Sequence, residues 1–453
     1  MKKEEIRELE QMAAAFAPSV EQIADGLYDH PEIKYEEFFA YKTYTDYLKR
    51  QGMTVTEHAA DIATAFVASY KQGENGPCIA LLAEYDALPN LGHGCGHNLL
   101  GAASLLAFET TVQYMKGKNI PGEIRLYGCP AEEGGAGKSR MVKAGVFAGV
   151  REALTWHPAD YNAITSGSSL ANCQILFTFH GKSAHAAIAP HLGRSALDAC
   201  ELMNVGANYL REHVLQDTRI HYAYQDAGGK SPNTVPEEAA VLYQKPGPKS
   251  SYVDEVSSRI INIAKGAALM TETTVEYREV SRVEELRPCH RLEKLLYENM
   301  CQATPISYTE EERRQAAEIA KQNPYNTLEE LLAKCDRYPD GEAMKATLTA
   351  HMQDVIYDFV LPYMPDDAPH YYSTDVGDVS GICDTAQFAG CTWAANTMEH
   401  TKAVVAQGKS SIAHKGLRFA AGVLAATAVD CLRRAGERNR KKEKTKEKRG
   451  AVG

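Results

Sequence analysis

The stretch CIALLAEYDALPNLGHGCGHNLL, residues 78–100, decides the fold. Its opening, Cys78 to Ala83, is apolar at every position and runs into the polar turn Glu84-Tyr85-Asp86. A short, unbroken apolar run of this kind predicts a strand buried on both faces, as in a parallel sheet covered by helices. From Leu99 to Met115 the chain has the length and apolar spacing of a helix. The glycine-rich segment between them therefore sits where an open α/β sheet places its functional loops, at a strand's C-terminal end.

Working outward, Ile124 to Tyr127 and Ala153 to Trp156 predict two further strands, so the first part alternates strand and helix. That alternation implies an α/β domain with a largely parallel sheet. The pattern then changes. Leu170–Phe179, Arg219–Tyr224, Ala239–Gln244 and Thr273–Val280 read as strands, with helices over Gly193–Glu212 and Ser251–Ala264. The order βαββαβ is that of a compact, ferredoxin-like α+β module. Its place in mid-chain makes it an insertion. The expected organisation is a first catalytic part over 1–167, an inserted lid or dimerisation domain over 168–282, and a second catalytic part over 283–436. Residues after about 283 read as mainly helical, interrupted by the Pro362–Pro369 loop and closed by a helix over Ala413–Ala435.

Composition narrows the function classes. With 453 residues, 44% hydrophobic and 24% charged, the chain is globular and of multidomain length. A formal net charge of −10 excludes a basic nucleic-acid footprint over most of the chain. The dense basic run, Arg438–Arg449, alternates lysine with glutamate and is expected to form a disordered, solvated tail over 437–453. The longest apolar stretch, Phe419–Leu432, contains Asp430 and is too short to span a bilayer, so no membrane partner is expected. Eleven scattered cysteines lack the density of a disulfide scaffold, and Met1–Met12 lacks a signal peptide's apolar core. A reduced, cytoplasmic setting is the expectation.

Three segments carry chemistry. The glycines of Gly92-His93-Gly94-Cys95-Gly96-His97-Asn98 do not make a dinucleotide loop, because His93, Cys95 and His97 project where a pyrophosphate would approach. Cys95 and His97, one glycine apart, are instead a soft and a borderline metal donor that a tight turn can aim at one point. A buried cysteine beside a turn histidine would look the same. Cys129-Pro130-Ala131-Glu132-Glu133 follows the next strand, and adjacent carboxylates repel unless a cation or different tasks separate them. A solvent-facing acidic loop is the alternative. Trp156-His157-Pro158 ends a third run. Ligands gathered from successive strand ends are how an open sheet builds a site.

These segments resemble the M20 metallopeptidases and amidohydrolases, in the branch with a cysteine ligand. The resemblance extends through Gly181-Lys182-Ser183-Ala184-His185, Pro190–Ala196, Ser231–Pro236, Ser373–Asp378 and Gln407–Gly416. It implies two divalent ions, Zn²⁺ or Mn²⁺, about 3.5–4 Å apart. The matching ligand positions are Cys95, His97, Glu133, His157 and His400, with His414 as the alternative late ligand. The resemblance makes Glu132 the general base and His185 an oxyanion donor from the inserted domain. It gives Asn233 and Arg194 to the substrate, and sets Asp86 behind a ligand histidine.

The implied activity is hydrolysis of an N-acyl or N-aroyl amino acid amide. Ser373–Asp378 and Gln407–Gly416 are similar to the family members that act on p-aminobenzoyl-glutamate, making it the first candidate substrate. Alternatives are a dipeptidase for β-alanyl or other unusual dipeptides, and a metal-binding, non-catalytic subunit. A thiol hydrolase is disfavoured, because Cys95 and His97 are awkwardly close in the backbone for a proton relay. The resemblance also implies a homodimer through the inserted domain, or a paralogous partner subunit.

Overall fold

The computed structural model describes residues 1–323, 325–337 and 341–450, with side chains as far as Arg434. Its strands are β1 (Thr54–Glu57), β2 (Phe66–Gln72), β3 (Cys78–Glu84), β4 (Gly122–Cys129), β5 (Val150–Ala159) and β6 (Tyr161–Thr165). Then come β7 (Asn172–His180), β8 (His221–Asp226), β9 (Glu238–Gln244), β10 (Thr274–Val283), β11 (Tyr357–Val360) and β12 (Asp384–Cys391). Two units result. The first comprises Met1–Gly167, Pro288–Asp367 and Ile382–Gly453; the second comprises Ser168–Arg287 and Ala368–Gly381.

The first unit carries an eight-stranded sheet in the order β1-β2-β4-β3-β5-β12-β6-β11. Its centre, β4-β3-β5-β12, is parallel throughout. The expected mostly parallel α/β sheet is therefore present, with antiparallel additions where β1, β2 and β6 pair. Helix His97–Lys118 is buried along nearly its whole length, between the sheet, helix Lys3–Asp29 and the C-terminal helix. Such enclosure explains its apolar character on all sides. Gly101 sets its seat: a Cβ there would lie 2.5 Å from the Glu84 carbonyl oxygen and 2.6 Å from the Tyr44 hydroxyl. That close approach brings the helix start, and His97 with it, against the end of β3.

The helical reading of the chain after 283 requires correction, because β12 lies there and takes a central sheet position. Its sequence, DTAQFAGC, has small residues in place of a β-branched run, so it gives no strand signal. The small residues answer to packing. A Cβ on Gly390 would meet the Trp156 ring at 2.9 Å.

The second unit is the expected βαββαβ module. All its strands are antiparallel in the order β10-β7-β9-β8, with helices Ala196–Leu210 and Ser250–Thr271 packed on each other and on the sheet. Residues 368–381, expected with the main domain, join this unit instead. The Leu170 amide donates to the Tyr372 carbonyl (2.8 Å), and the Glu284 amide to Asp378 Oδ2 (3.0 Å). The closing helix runs Ser411–Gly450, so the tail expected to be disordered continues it as far as Gly450. Lysine, arginine and glutamate are good helix formers and no proline interrupts them. Residues 451–453 of that expected tail lie outside the described residues. Among the described residues, no helix is long and apolar enough to cross a membrane.

Helix His97–Lys118 also buries Glu109, whose two carboxylate oxygens have no hydrogen-bond partner among the described residues. Burial pushes its carboxyl up to about 7, only partly offset by Lys116. The folded state therefore holds this proton while the unfolded chain loses it near the ordinary value. Stability conferred by the proton is complete below the ordinary carboxyl range and is lost as pH rises toward about 7. Glu109→Gln is expected to flatten that loss. Its thermal melting should exceed that of the parent chain increasingly from pH 5 to pH 8, by up to about 3 kcal/mol at the upper end. Equal gaps at both pH values would overturn the assignment.

Candidate metal centre

Neighbouring parallel strands deliver the site. The loop after β3 carries Asp86 and Cys95, and His97 opens the helix that follows. The turn after β4 carries Glu132 and Glu133, β5 carries His157, and the segment after β12 carries Glu399 and His400. These four strands lie side by side, so loops far apart in sequence meet above one sheet end. Gly96 makes the Cys95–His97 turn possible: its φ is +73°, and a Cβ would press on Pro158 and Trp393 at 3.0 Å. The His400 backbone is tied to the same turn, its amide donating to the Gly94 carbonyl at 2.8 Å.

Three sets of donor atoms each lie within 4.8 Å of one another: Cys95, His97 and His157; Cys95, Glu133 and His400; and Glu84, His97 and Glu132. The first two sets share the Cys95 sulfur. Ring orientation suits cation binding. His97 Nδ1 faces the Asp86 carbonyl (3.1 Å) and Oδ1 (3.2 Å). His157 Nδ1 faces the Pro158 carbonyl at 2.9 Å and Glu399 Oε1 at 3.3 Å. In each ring the Nδ1 proton is thereby engaged, leaving the Nε2 lone pair for the centre. His157 Nε2 points at Cys95 Sγ at 3.4 Å. His97 Nε2 and Glu133 Oε1 are buried without a hydrogen bond among the described residues, as polar atoms meant for an ion would be.

Charge gives the same answer. Burial works against charge on the thiol, yet His157 and His97 hold Cys95 below the usual thiol value. Burial opposes a charged His97, but the Cys95 thiolate and Asp86 hold it well above the ordinary imidazole value. His157 is raised in the same way, against burial, by Glu399 and Cys95. The Cys95 thiolate and the Glu133 carboxylate beside its ring lift His400 to about 10. Glu133 is held low despite burial, by His400 and His97. Cysteine sulfur, imidazole and carboxylate, crowded and rich in negative charge, form a donor set that fits divalent cations, which would replace these protons.

Asp86 does more than orient His97. Its Oδ2 accepts the Glu133 amide at 2.9 Å, so one carboxylate ties the β3 loop to the β4 turn. Of the alternative late histidines, His400 lies in the cluster, with Nε2 3.4 Å from Glu133 Oε1, while His414 pairs with Asp25 at 2.9 Å. His185, Asn233 and Arg194 belong to the second unit. His185 is exposed and its Nδ1 accepts from the Ala187 and Ile188 amides at 3.3 Å, which leaves the proton on Nε2. Asn233 is exposed near it, across the His185–Thr234 bridge. Arg194 is engaged by Glu272, at 2.8 Å from both Nε and Nη2.

Three site residues were not assigned roles by sequence. Glu84 is buried, its Oε1 2.8 Å from Lys138 Nζ and its Oε2 3.4 Å from His97 Nε2. Burial would raise its carboxyl, but Lys138 holds it below the ordinary value. Lys138, on the short helix Gly137–Lys143, is itself fully buried. Glu399 backs His157. An acidic residue closing an apolar strand, and another adjoining a histidine, were the available signals.

No family model matches the chain. Two solved structures share its fold: an aminobenzoyl-glutamate utilization protein from Klebsiella pneumoniae (19% identical, TM-score 0.65) and a dinuclear metal binding peptidase of the M20 family from Bacillus subtilis (17%, TM-score 0.55). The first covers 93% of this chain and 98% of the other, the second 93% and 99%. In sequence, the chain is 41% identical over 429 residues to a p-aminobenzoyl-glutamate hydrolase subunit from Escherichia coli, covering 90% of this chain and 88% of that one. It belongs to the M20 family of metallopeptidases and amidohydrolases.

As an M20 member the chain is an amide hydrolase that uses divalent metal, and the clustered donors are where that metal fits. If so, His400→Ala is expected to lower the metal retained after dialysis by about half, whereas His414→Ala leaves it unchanged. Elemental analysis of the two variants checks this, and equal retention in both would count against His400.

Proposed function

We propose that this M20 hydrolase cleaves the amide of an N-acyl or N-aroyl amino acid, with p-aminobenzoyl-glutamate as the first candidate substrate. The observation carrying the reading is the Cys95 sulfur shared by two donor sets beside Glu132, together with near full-length identity to a hydrolase named for that compound. Two ions are inferred, one among Cys95, His97 and His157 and one among Cys95, Glu133 and His400. Thiolate and imidazole favour zinc, while the carboxylate suits manganese as well.

The bound ions would supply Lewis acidity to the amide carbonyl and make a water acidic near neutral pH. The chain's own residues do the rest. Glu132, beside His97 and Glu84, takes the proton of the attacking water and passes it to the leaving nitrogen. Release of the amine and a carboxylate then balances the reaction. The His185 tautomer leaves an Nε2–H to donate to the developing oxyanion, and Asn233 is a second donor to the substrate. Arg194 can hold a substrate carboxylate only by exchanging Glu272 for it.

Assembly as a homodimer through the second unit is part of this proposal. Edge strand β8 is exposed along its length, and Leu202, Val205 and Tyr209 are exposed apolar residues at helical spacing on Ala196–Leu210. A paralogous subunit could use the same surface. A reduced, cytoplasmic setting is also supported, since a thiolate ligand and eleven free cysteines persist there.

Purified, metal-loaded protein is expected to release glutamate from p-aminobenzoyl-glutamate, to lose activity on chelation, and to regain it with Zn²⁺ or Mn²⁺. Glu132→Gln should retain metal while kcat falls roughly 10²–10⁴-fold. Absence of release, alone and with a paralogous subunit, would remove this substrate; full activity in Glu132→Gln would remove the base. Val205→Glu should shift sedimentation from dimer to monomer, and a monomeric parent chain would contradict the assembly.

A further inference from the structure

The proposed base sits on a turn whose shape is not self-sustaining. Ala131 at φ +62° and Ala136 at φ +57° occupy the left-handed region, which a residue with a Cβ enters only against steric strain. Within the turn the Gly134 amide donates to the Glu132 carbonyl at 2.6 Å and the Gly135 amide to the Ala131 carbonyl at 2.9 Å. Strain of this sort persists only where surrounding groups hold it.

The holding groups come from almost one hundred residues earlier. Glu37 is fully buried. Its Oε1 accepts the Ala131 amide and the Tyr35 amide, both at 2.9 Å, and its Oε2 accepts the Thr64 hydroxyl at 2.8 Å. Tyr35, itself left-handed at φ +64°, donates its hydroxyl to the Gly135 carbonyl at 2.5 Å. The Arg140 guanidinium lies 5.0 Å from the centre of the Tyr35 ring. One short segment thus holds both ends of the turn that carries Glu132 and Glu133. Gly135 is part of the fit, since a Cβ there would lie 2.8 Å from the Tyr35 ring.

We infer that Glu37 is a positioning residue for amide hydrolysis, acting through the Ala131–Gly135 turn to hold the Glu132 carboxylate in its working place. Glu37 touches neither substrate nor ion. What the turn needs from it is an acceptor for two amides, not a charge, so glutamine can substitute and an apolar isostere cannot. The inference rests on Glu132 being the base.

Holoenzyme carrying Glu37→Leu, Glu37→Gln or Glu132→Gln is compared at saturating metal, with kcat expressed per folded, metal-loaded molecule. Glu37→Leu is expected to lose about 10²-fold in kcat, the scale of an ångström-level misplacement, with KM within about threefold. Glu37→Gln should restore most of that loss. Adding Glu37→Leu to Glu132→Gln should lower kcat little further, because a brace has nothing left to position once the base is gone. If Glu37→Leu melts earlier yet keeps kcat, the residue is only structural and the inference fails. An equal loss in both Glu37 variants would mean charge, not acceptor geometry, and also overturns it. Full activity of Glu132→Gln would sink the reading of the base instead, whatever the Glu37 variants do.

Discussion

A thiolate and several carboxylates brought within a few ångströms in a buried place repel one another, and everything in the first unit is arranged around tolerating that repulsion. Cys95, Glu84, Glu132 and Glu133 converge there, backed by Asp86 and Glu399. Without cations the balance falls to protons on His97, His157 and His400 and to the Lys138 ammonium. Divalent ions would provide the same positive charge with Lewis acidity added. The cluster is therefore suited by its electrostatics to divalent cations.

The fold keeps the conformational cost of this convergence low by drawing the donors from the ends of neighbouring strands. Four adjacent parallel strands end at the same level: His157 lies in β5 itself, Glu132 and Glu133 follow β4 directly, Cys95 and His97 close the longer loop after β3, and Glu399 and His400 lie in the loop after β12. Asp86 then joins two of these loops by meeting His97 with one oxygen and the Glu133 amide with the other. A single carboxylate so placed couples the orientation of the His97 ring to the position of the Glu133 segment. Rigid strands and shared hydrogen bonds are what hold donors to the accuracy that metal chemistry requires.

Much of this was legible in the sequence, for identifiable reasons. The unbroken apolar run of β3 and the glycine-spaced Cys95 and His97 announce both sheet and site, because buried parallel strands and tight turns restrict composition strongly. The βαββαβ order was equally plain, since its strands and helices alternate with clear periodicity. By contrast β12 escaped, because a central strand packed against Trp156 needs small residues and so loses the β-branched signature. Residues 368–381 escaped too, as the Leu170–Tyr372 backbone bond leaves no mark on side-chain pattern and nothing in the sequence pairs the Asp378 carboxylate with the Glu284 amide. Glu84 and Lys138 could not be recognised as a pair, because their ion pair spans residues that only the β3–β4 pairing brings together.

Backbone strain shows where the fold has given up local comfort. Tyr35, Ala131, Ala136, Asn396 and His400 all have positive φ without being glycine, and all lie on segments that shape the metal-binding end of the sheet. Glycine would relieve each of them, yet it would also free the backbone to leave the conformation. A residue with a Cβ keeps the alternatives fewer, provided outside hydrogen bonds hold it in place. His400 is held by the Gly94 carbonyl, and Ala131 by Glu37. The strain and its restraints belong together: removing a restraint releases the turn toward ordinary backbone geometry, carrying the donor with it. Precision at the centre is thus maintained from outside it, by residues that never approach the reacting bond.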